Sequence, residues 1–347
     1  MPLTNHATPA GTARYRERFA ERAAENHFRR QQGLTLSSIG IGTYLGNADE
    51  ATDQNYANAI VRAVESGVNV IDTAANYRFQ RSERSIGQAL KTLVERGFAR
   101  EELVICTKGG YLPFDGAPPR NLREYFEETF VKTGIADFSD VVGGSHCMTP
   151  SYLQSQIDQS LRNMDLESID VYYIHNPESQ LNYVSEAEFY HRLRLAFERL
   201  EENRKEGTLQ FYGVATWNGF RQAANSGAHH SLVRMIEVAR EVGGEDHGFR
   251  FIQLPVNLAM PEAITVKNET IGGESLTVAE AAQRLDVTAM ASGSILQGQL
   301  AMEAQTAIQF VRSAPGITTA LVGMSRVEHV DLNLQLMSVN ANEPAAL

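Results

Sequence analysis

The stretch NVIDTAANYRFQRSE, residues 69–83, runs from a short apolar segment into Asp72 and then presents Tyr77 five positions later. Val70 and Ile71 suit a strand, and a strand that ends on an acid before a helix is commonly ending on a helix cap. Working outward, the same kind of run recurs as SSIGIG (37–42), LVICTK (103–108), IDVYYIH (169–175), LQFYGVA (209–215), FIQLPV (251–256), VTAMAS (287–292) and TTALVG (318–323). With NVID (69–72) these make eight strand candidates. Between them lie segments at helical spacing, such as Ala57, Ile60, Val61 and Val64, or Ile86, Leu90 and Leu93. Runs that are apolar throughout belong to parallel strands covered on both faces. Eight such units predict a single (β/α)8 TIM barrel, with a doubly wound open sheet as the competing arrangement.

Composition agrees with one large domain. The chain has 347 residues, a length that α/β barrels use as one unit. A formal charge of -11 argues against nucleic acid as a partner, because phosphate binding needs a concentrated basic surface. There is no apolar run of about 18 residues to span a membrane. Two cysteines, Cys106 and Cys147, form no disulfide framework, and a reducing cytoplasm is the expected compartment. Residues 1–27 lack the apolar core of a secretory signal and interleave Glu17, Glu21 and Glu25 with arginines. They read as an accessory helix or a mobile arm, leaving 28–347 as the barrel.

One long irregular segment, 109–149, follows the third strand and carries Tyr111, Phe114, Tyr125, Phe126, Phe130 and Phe138. Connections of that length inside a compact domain have their own structure or a function. A substrate-covering insertion is the preferred reading, beside an expendable insertion or an oligomer contact.

The C-terminal ends of barrel strands share one rim. Asp72, Lys108 and His175 end the second, third and fourth strands, and Tyr77 follows the second. Such a set suits protonation of an oxygen that gains charge when hydride reaches its carbon. A free phenol titrates near 10. A neighbouring ammonium lowers that value, and a carboxylate beside the ammonium holds it charged. Tyr77, Lys108 and Asp72 match those three roles, with His175 as a second donor to the oxygen.

In IDTAANYRFQRSERSIGQAL, VICTK and DVYYIHNPE, the order and spacing of Asp72, Tyr77, Lys108 and His175 resemble the catalytic tetrad of the aldo-keto reductase superfamily. The resemblance covers roughly residues 28–338, and FRRQQGLTLSSIGIGTYLG resembles that family's N-terminal hairpin and first strand. It implies a metal-free oxidoreductase that prefers NADP(H) over NAD(H) and acts on a small carbonyl or alcohol. Further cofactor positions follow from the same resemblance. Gly42 and Thr43 end the first strand; Thr216, in YGVATWN, and Gln253, in FIQLPVN, face the nicotinamide carboxamide. Ser292, Gly293 and Gln297 lie in AMASGSILQGQL. Gly323, Ser325, Arg326, His329 and Asn333, in LVGMSRVEHVDLNL, form the adenosine end, where Ser325 and Arg326 suit a 2′-phosphate. Ala215 stands where the family usually has serine, and Ala291 where an aromatic often stacks on nicotinamide.

Two other readings compete. A strand-end lysine is also the nucleophile of Schiff-base aldolases, here Lys108. The barrel and cofactor are also kept by regulatory subunits with little turnover. GIGTYLG (40–46) is a near-match to a dinucleotide fingerprint with its third glycine displaced, and is better read as the first strand and its loop. His146 and Cys147 are adjacent and do not chelate a metal by themselves.

Overall fold

Among the described residues twelve strands form, and eight of them lie on the eight apolar runs. In chain order they are β1 (Phe28–Gln31), β2 (Leu34–Ser37), β3 (Ile39–Gly42), β4 (Val70–Asp72), β5 (Val104–Gly109), β6 (Ile169–His175), β7 (Leu209–Ala215), β8 (Phe249–Pro255), β9 (Lys267–Ile271), β10 (Glu274–Thr277), β11 (Thr288–Ser292) and β12 (Ile317–Gly323). The structure is a computed structural model that describes residues 2–341; the end of the expected 28–347 unit, from residue 342, lies outside the described residues. Strands β3 to β8, β11 and β12 pair in parallel and close into a barrel, with β12 against β3. Closure removes the open-sheet alternative.

The helices are α1 (Pro9–Glu17), α2 (Glu50–Glu65), α3 (Arg81–Glu95), α4 (Leu122–Phe126), α5 (Pro150–Met164), α6 (Glu186–Glu206), α7 (Leu232–Gly243), α8 (Glu262–Thr265), α9 (Val278–Arg284), α10 (Ala304–Ser313) and α11 (Val327–Asn333). Every barrel strand is followed by at least one of them, as βα packing requires.

Strand side chains alternate between two faces, so each barrel strand feeds two cores. Val70, Val104, Cys106, Val171, Tyr173, Phe251, Met290 and Leu321 fill the barrel interior. Their neighbours Ile71, Ile105, Ile174, Val214, Ile252, Ala291 and Val322 join the larger core between barrel and helices. The same alternation carries Asp72, Lys108, His175, Gln253 and Ser292 inward, two residues beyond Val70, Cys106, Tyr173, Phe251 and Met290.

The bottom of the barrel is closed by the N-terminal hairpin. Gln32 and Gly33 link β1 to β2 with φ of 52° and 77°, the left-handed pair that a two-residue hairpin turn needs. Leu34, Leu36 and Ala7 reach the interior cluster. Residues 2–27 hold the docked helix α1. Thr8 caps it by accepting from Gly11 N–H at 2.9 Å, and the Tyr15 hydroxyl donates to the carbonyls of Val64 and Val68 at 2.6 and 2.9 Å. A side chain at Gly11 would place its Cβ 2.2 Å from the Glu101 carbonyl oxygen, so α1 packs only because that position is bare.

The antiparallel hairpin β9–β10 is the one sheet absent from the expected strands. Its Asn268 and Glu269 are buried polar residues rather than an apolar run. Glu269 is buried because it caps α7, accepting from Leu232 N–H at 2.7 Å and the Ser231 hydroxyl at 3.2 Å. Residues 109–149 fold around a small core of Leu112, Phe126, Phe130, Ala136 and Cys147, closed by Tyr152 of α5. The strand β5 runs through Gly109, so this segment leaves directly from the rim.

Candidate active site

Parallel pairing brings the rim residues together. Gly42 pairs with Asp72 and Asp72 with Cys106, so Lys108 stands one inward position above the acid. His175 pairs with Ala215, and Ala215 with Gln253. The Lys108 ammonium donates to Asp72 Oδ2 and to the Thr73 carbonyl, both at 2.7 Å. The Gln253 amide donates to Asp72 Oδ1 at 2.8 Å, so both carboxylate oxygens are occupied. Tyr77 is half-buried, with Lys108 Nζ 5.0 Å from its ring centroid. Its ring meets His175 edge-on at 5.7 Å and Tyr44 at 4.9 Å.

The electrostatics of this group are set by burial first. Burial would neutralise Lys108, but Asp72 and then Tyr77 outweigh it and hold the ammonium above its ordinary value. Burial lifts the Asp72 carboxyl against the pull of Lys108 and Gln253. Burial also holds Tyr77 above the ordinary phenol value; Lys108 opposes this but does not overcome it. Burial thus outweighs the downward shift expected from Lys108, and the Tyr77 phenol is protonated at neutral pH with an ammonium close to its ring. His175 is driven well below its usual value by burial, with Lys108 and His146 adding to the effect, so the imidazole is neutral.

His146, from the 109–149 segment, supports His175 from behind. Gln180 Nε2 lies 2.9 Å from His146 Nδ1, and His146 Nε2 lies 2.8 Å from the His175 carbonyl. The amide donates and the carbonyl accepts, which assigns the proton to Nε2. Tyr111, also from this segment, meets the His146 and His175 rings edge-on at 5.2 and 5.1 Å.

A cavity of about 380 Å³ opens over this cluster. Of the expected positions, Asp72, Tyr77, His175, Gly42, Thr43, Thr216, Gln253, Ser292, Gly293, Gln297 and Gly323 line it. Lys108 reaches it through Asp72. Thr216 is 3% exposed and its hydroxyl has no partner, as does Nδ1 of His175. Ser325, Arg326, His329 and Asn333 lie outside this cavity, after β12 and along α11. Arg326 is exposed and donates to His329 Nε2 at 2.8 Å.

Ala291 requires a correction. Its side chain joins the helix-facing core, while Met290 and Ser292 point inward, so position 291 does not face the cavity at all. Residues that sequence reasoning left out of the site also line the cavity: Tyr44, Leu45, Asn76, Tyr111, Asn176 and Ile295. Each lies one to three residues beyond a strand end or beside a residue already selected, which is the signal that would have found them. Trp217, two residues beyond the end of β7, is a lining residue too.

The chain leaves Tyr77 through an unusual turn. Arg78, Phe79 and Gln80 have φ of 48°, 57° and 69°, three consecutive left-handed residues with none a glycine. Such a conformation costs about 1–2 kcal/mol for each L-residue with a Cβ. Arg78 is held by the Asn47 carbonyl at 2.8 Å, by a salt bridge to Asp53, and by the Tyr56 ring, whose centroid lies 5.2 Å from its guanidinium carbon. On the other side, Gly116 N–H donates to the Phe79 carbonyl at 3.0 Å and the Gln80 amide to the Phe114 carbonyl at 3.2 Å.

The chain resembles known proteins. A family model described as the aldo/keto reductase family matches residues 38–235. An NADH-specific methylglyoxal reductase from Escherichia coli (strain K12) is 27% identical over 187 residues, which cover 52% of this chain and 49% of the relative. A D-threo-aldose 1-dehydrogenase from a Pseudomonas species is 27% identical over 188 residues, 53% of this chain and 51% of the relative. The chain thus spans about half the length of the curated relatives it matches. A crystal structure of an aldo-keto reductase from Klebsiella pneumoniae in complex with NADPH has a TM-score of 0.58 at 18% identity, over 91% of this chain and 90% of that one. The holo form of an aldo-keto reductase from Bacillus halodurans has a TM-score of 0.59 at 18% identity, over 93% of both chains. These structures share the fold.

Proposed function

The chain belongs to the aldo/keto reductase family, and from that premise we propose that it is an NADP(H)-dependent oxidoreductase acting between a small carbonyl compound and its alcohol. The observation that carries the reading is the Asp72–Lys108 pair set beside the Tyr77 phenol and the neutral His175, with Asp72, Tyr77 and His175 lining one cavity.

The cavity suits the cofactor on two counts. Thr216 offers a buried hydroxyl with no partner of its own. A Cβ built at Gly323 meets nothing within 4 Å, so the passage toward the end of β12 is open. Thr216, Gln253, Ser292, Gly293 and Gln297 would hold the nicotinamide half, over Gly42 and Thr43. Gly323, Ser325, Arg326, His329 and Asn333 would hold the adenosine end. When bound, NADPH supplies hydride to the carbonyl carbon.

The residues of the chain handle the proton. As the carbonyl oxygen gains charge, the Tyr77 hydroxyl transfers its proton to it, and the neutral His175 ring donates a second hydrogen bond. Lys108 stabilises the tyrosinate left behind, and Asp72 keeps Lys108 charged. In the alcohol-to-carbonyl direction the Tyr77 phenolate, stabilised by Lys108, accepts the proton and returns to the phenol. Residues 109–149 cover the substrate end, since Tyr111 lines the cavity and His146 backs His175. We place the enzyme in the cytoplasm, on its two unpaired cysteines.

A Schiff-base aldolase needs a neutral lysine, whereas Lys108 is held charged by Asp72. The exposed Arg326 supports NADPH over NADH; the NADH-specific relative makes the opposite preference the one to measure against it. The test is a panel of aldehydes, ketones, sugars and alcohols with either cofactor, followed by nicotinamide absorbance, on the parent and on Tyr77→Phe. The variant is expected to bind cofactor and to lose about 10²- to 10⁴-fold in turnover. Normal turnover by Tyr77→Phe would remove Tyr77 from its role, and no turnover by the parent with any substrate would favour a regulatory subunit.

A further inference from the structure

We infer that Asp53 is a positioning residue for Tyr77, acting through a two-arginine clamp that holds the strained turn 78–80 in its left-handed conformation. This rests on the reading of Tyr77 as the proton donor. Asp53 lies in the first turn of α2. One of its carboxylate oxygens meets Arg78, and the other meets Arg81 at 2.5 Å. The two arginines flank Phe79 and Gln80, so one carboxylate brackets the whole left-handed stretch.

Arg78 is the inner arm of the clamp. Its side chain is 2% exposed, against 24% for Asp53 and 22% for Arg81. Besides Asp53 it binds carbonyls of the loop after β3, namely Asn47 at 2.8 Å and Asp49 at 3.5 Å. That loop also carries Tyr44, whose ring lies against Tyr77. The helix that follows receives no side-chain cap from Gln80, its left-handed N-cap residue. The turn is thus held from outside, by Asp53 on one side and by Phe114 and Gly116 on the other.

A left-handed residue next to Tyr77 fixes the direction in which the chain leaves it. If the clamp is released, Arg78 relaxes toward negative φ, while Phe79 and Gln80 keep their contacts with Gly116 and the Phe114 carbonyl. The phenol then leaves its place beside Lys108 and His175. Small displacements of a reacting group carry large kinetic penalties.

The discriminating comparison is alanine against glycine at position 78, because glycine adopts positive φ without strain and alanine does not. Steady-state kinetics with NADPH and the best substrate of the panel should give about a 10- to 100-fold loss of kcat in Asp53→Ala and in Arg78→Ala, with cofactor KM within about threefold of the parent. Arg78→Gly should lose less than about threefold despite removing the same side chain, and Asp53→Ala/Arg78→Gly should match Arg78→Gly. Arg78→Gly should also melt above Arg78→Ala. Equal losses for glycine and alanine, or an unchanged kcat in Asp53→Ala, would overturn the clamp. The two inferences fail separately: normal turnover in Tyr77→Phe removes the proton-donor reading, while the melting order of the two Arg78 variants still tests the strained turn.

Discussion

Replacing Lys108 by methionine removes one half of a buried ion pair while keeping a side chain of similar length. The lysine side chain is 1% exposed and that of Asp72 7%, so water does not take the place of the ammonium. Breaking such a pair from one side costs about 3–5 kcal/mol. With an unfolding entropy of roughly 2.1 cal/mol/K per residue, a chain of this length has about 0.7 kcal/mol/K, and the midpoint falls by roughly 4–7 °C. Turnover falls as well. Lys108 is the main influence opposing burial at Tyr77, and without it the phenol is held still higher and its conjugate base loses its partner. A loss of about 10²- to 10⁴-fold is expected. Adding Asp72→Asn to Lys108→Met removes the stranded carboxylate, so the double variant should regain most of the lost stability while remaining inactive. Thermal unfolding by circular dichroism and nicotinamide absorbance read the two effects. The reasoning is refuted if Lys108→Met melts within about 1 °C of the parent, or if the double variant loses the sum of both single losses.

Acid sensitivity offers a second test. Burial pushes His146 down to about 4 from 6.5. The unfolded chain takes up a proton that the folded one refuses, so this contribution is fully present above about pH 6.5 and is lost toward about pH 4, at about 1.4 kcal/mol per pH unit. His146→Gln keeps a donor toward His175 and should flatten the stability profile by that slope in that window, read by urea unfolding at several pH values. At the cofactor's far end, Arg326→Ala should raise KM for NADPH about tenfold and leave NADH nearly unchanged, the size expected for one charge-assisted contact at an exposed site. Among the described residues, Asp72 is the one charged side chain lining the cavity. A neutral aldehyde should therefore exceed a carboxylate-bearing analogue of the same length by at least about tenfold in kcat/KM, since a carboxylate buried there lacks a cation.

The barrel was legible because eight short runs, apolar throughout, alternate with segments at helical spacing. Asp72, Lys108 and His175 could be assigned to one rim from the sequence because each ends its run; in the structure they also face inward, two positions beyond an apolar interior residue. The same counting, applied from Met290, places Ala291 outside, where a family pattern alone had put it against the cofactor. The hairpin β9–β10 was not legible, since Asn268 and Glu269 are buried to serve a helix terminus and leave no apolar run. Nor was the turn 78–80. Arginine, phenylalanine and glutamine all disfavour positive φ, and contacts with residues distant in the chain, among them Asn47, Asp53, Phe114 and Gly116, hold them there. The upward displacement of Tyr77 escaped for a similar reason: charge partners can be read from a sequence, but depth of burial cannot.

The closure of the barrel floor has a consequence for biosynthesis. Arg29, in strand β1 of the N-terminal hairpin, donates to the carbonyl of Ile317 at 2.6 Å across a separation of 288 residues. It also donates to Thr318 at 3.0 Å, at the start of the last strand. At roughly 5–20 residues per second, a ribosome makes these partners about 15–60 s after the arginine. Throughout that interval Leu34 and Leu36 have no sealed interior to enter. Nascent chains stopped short of β12 should therefore be bound by chaperones through their first forty residues, and full-length chains released from them.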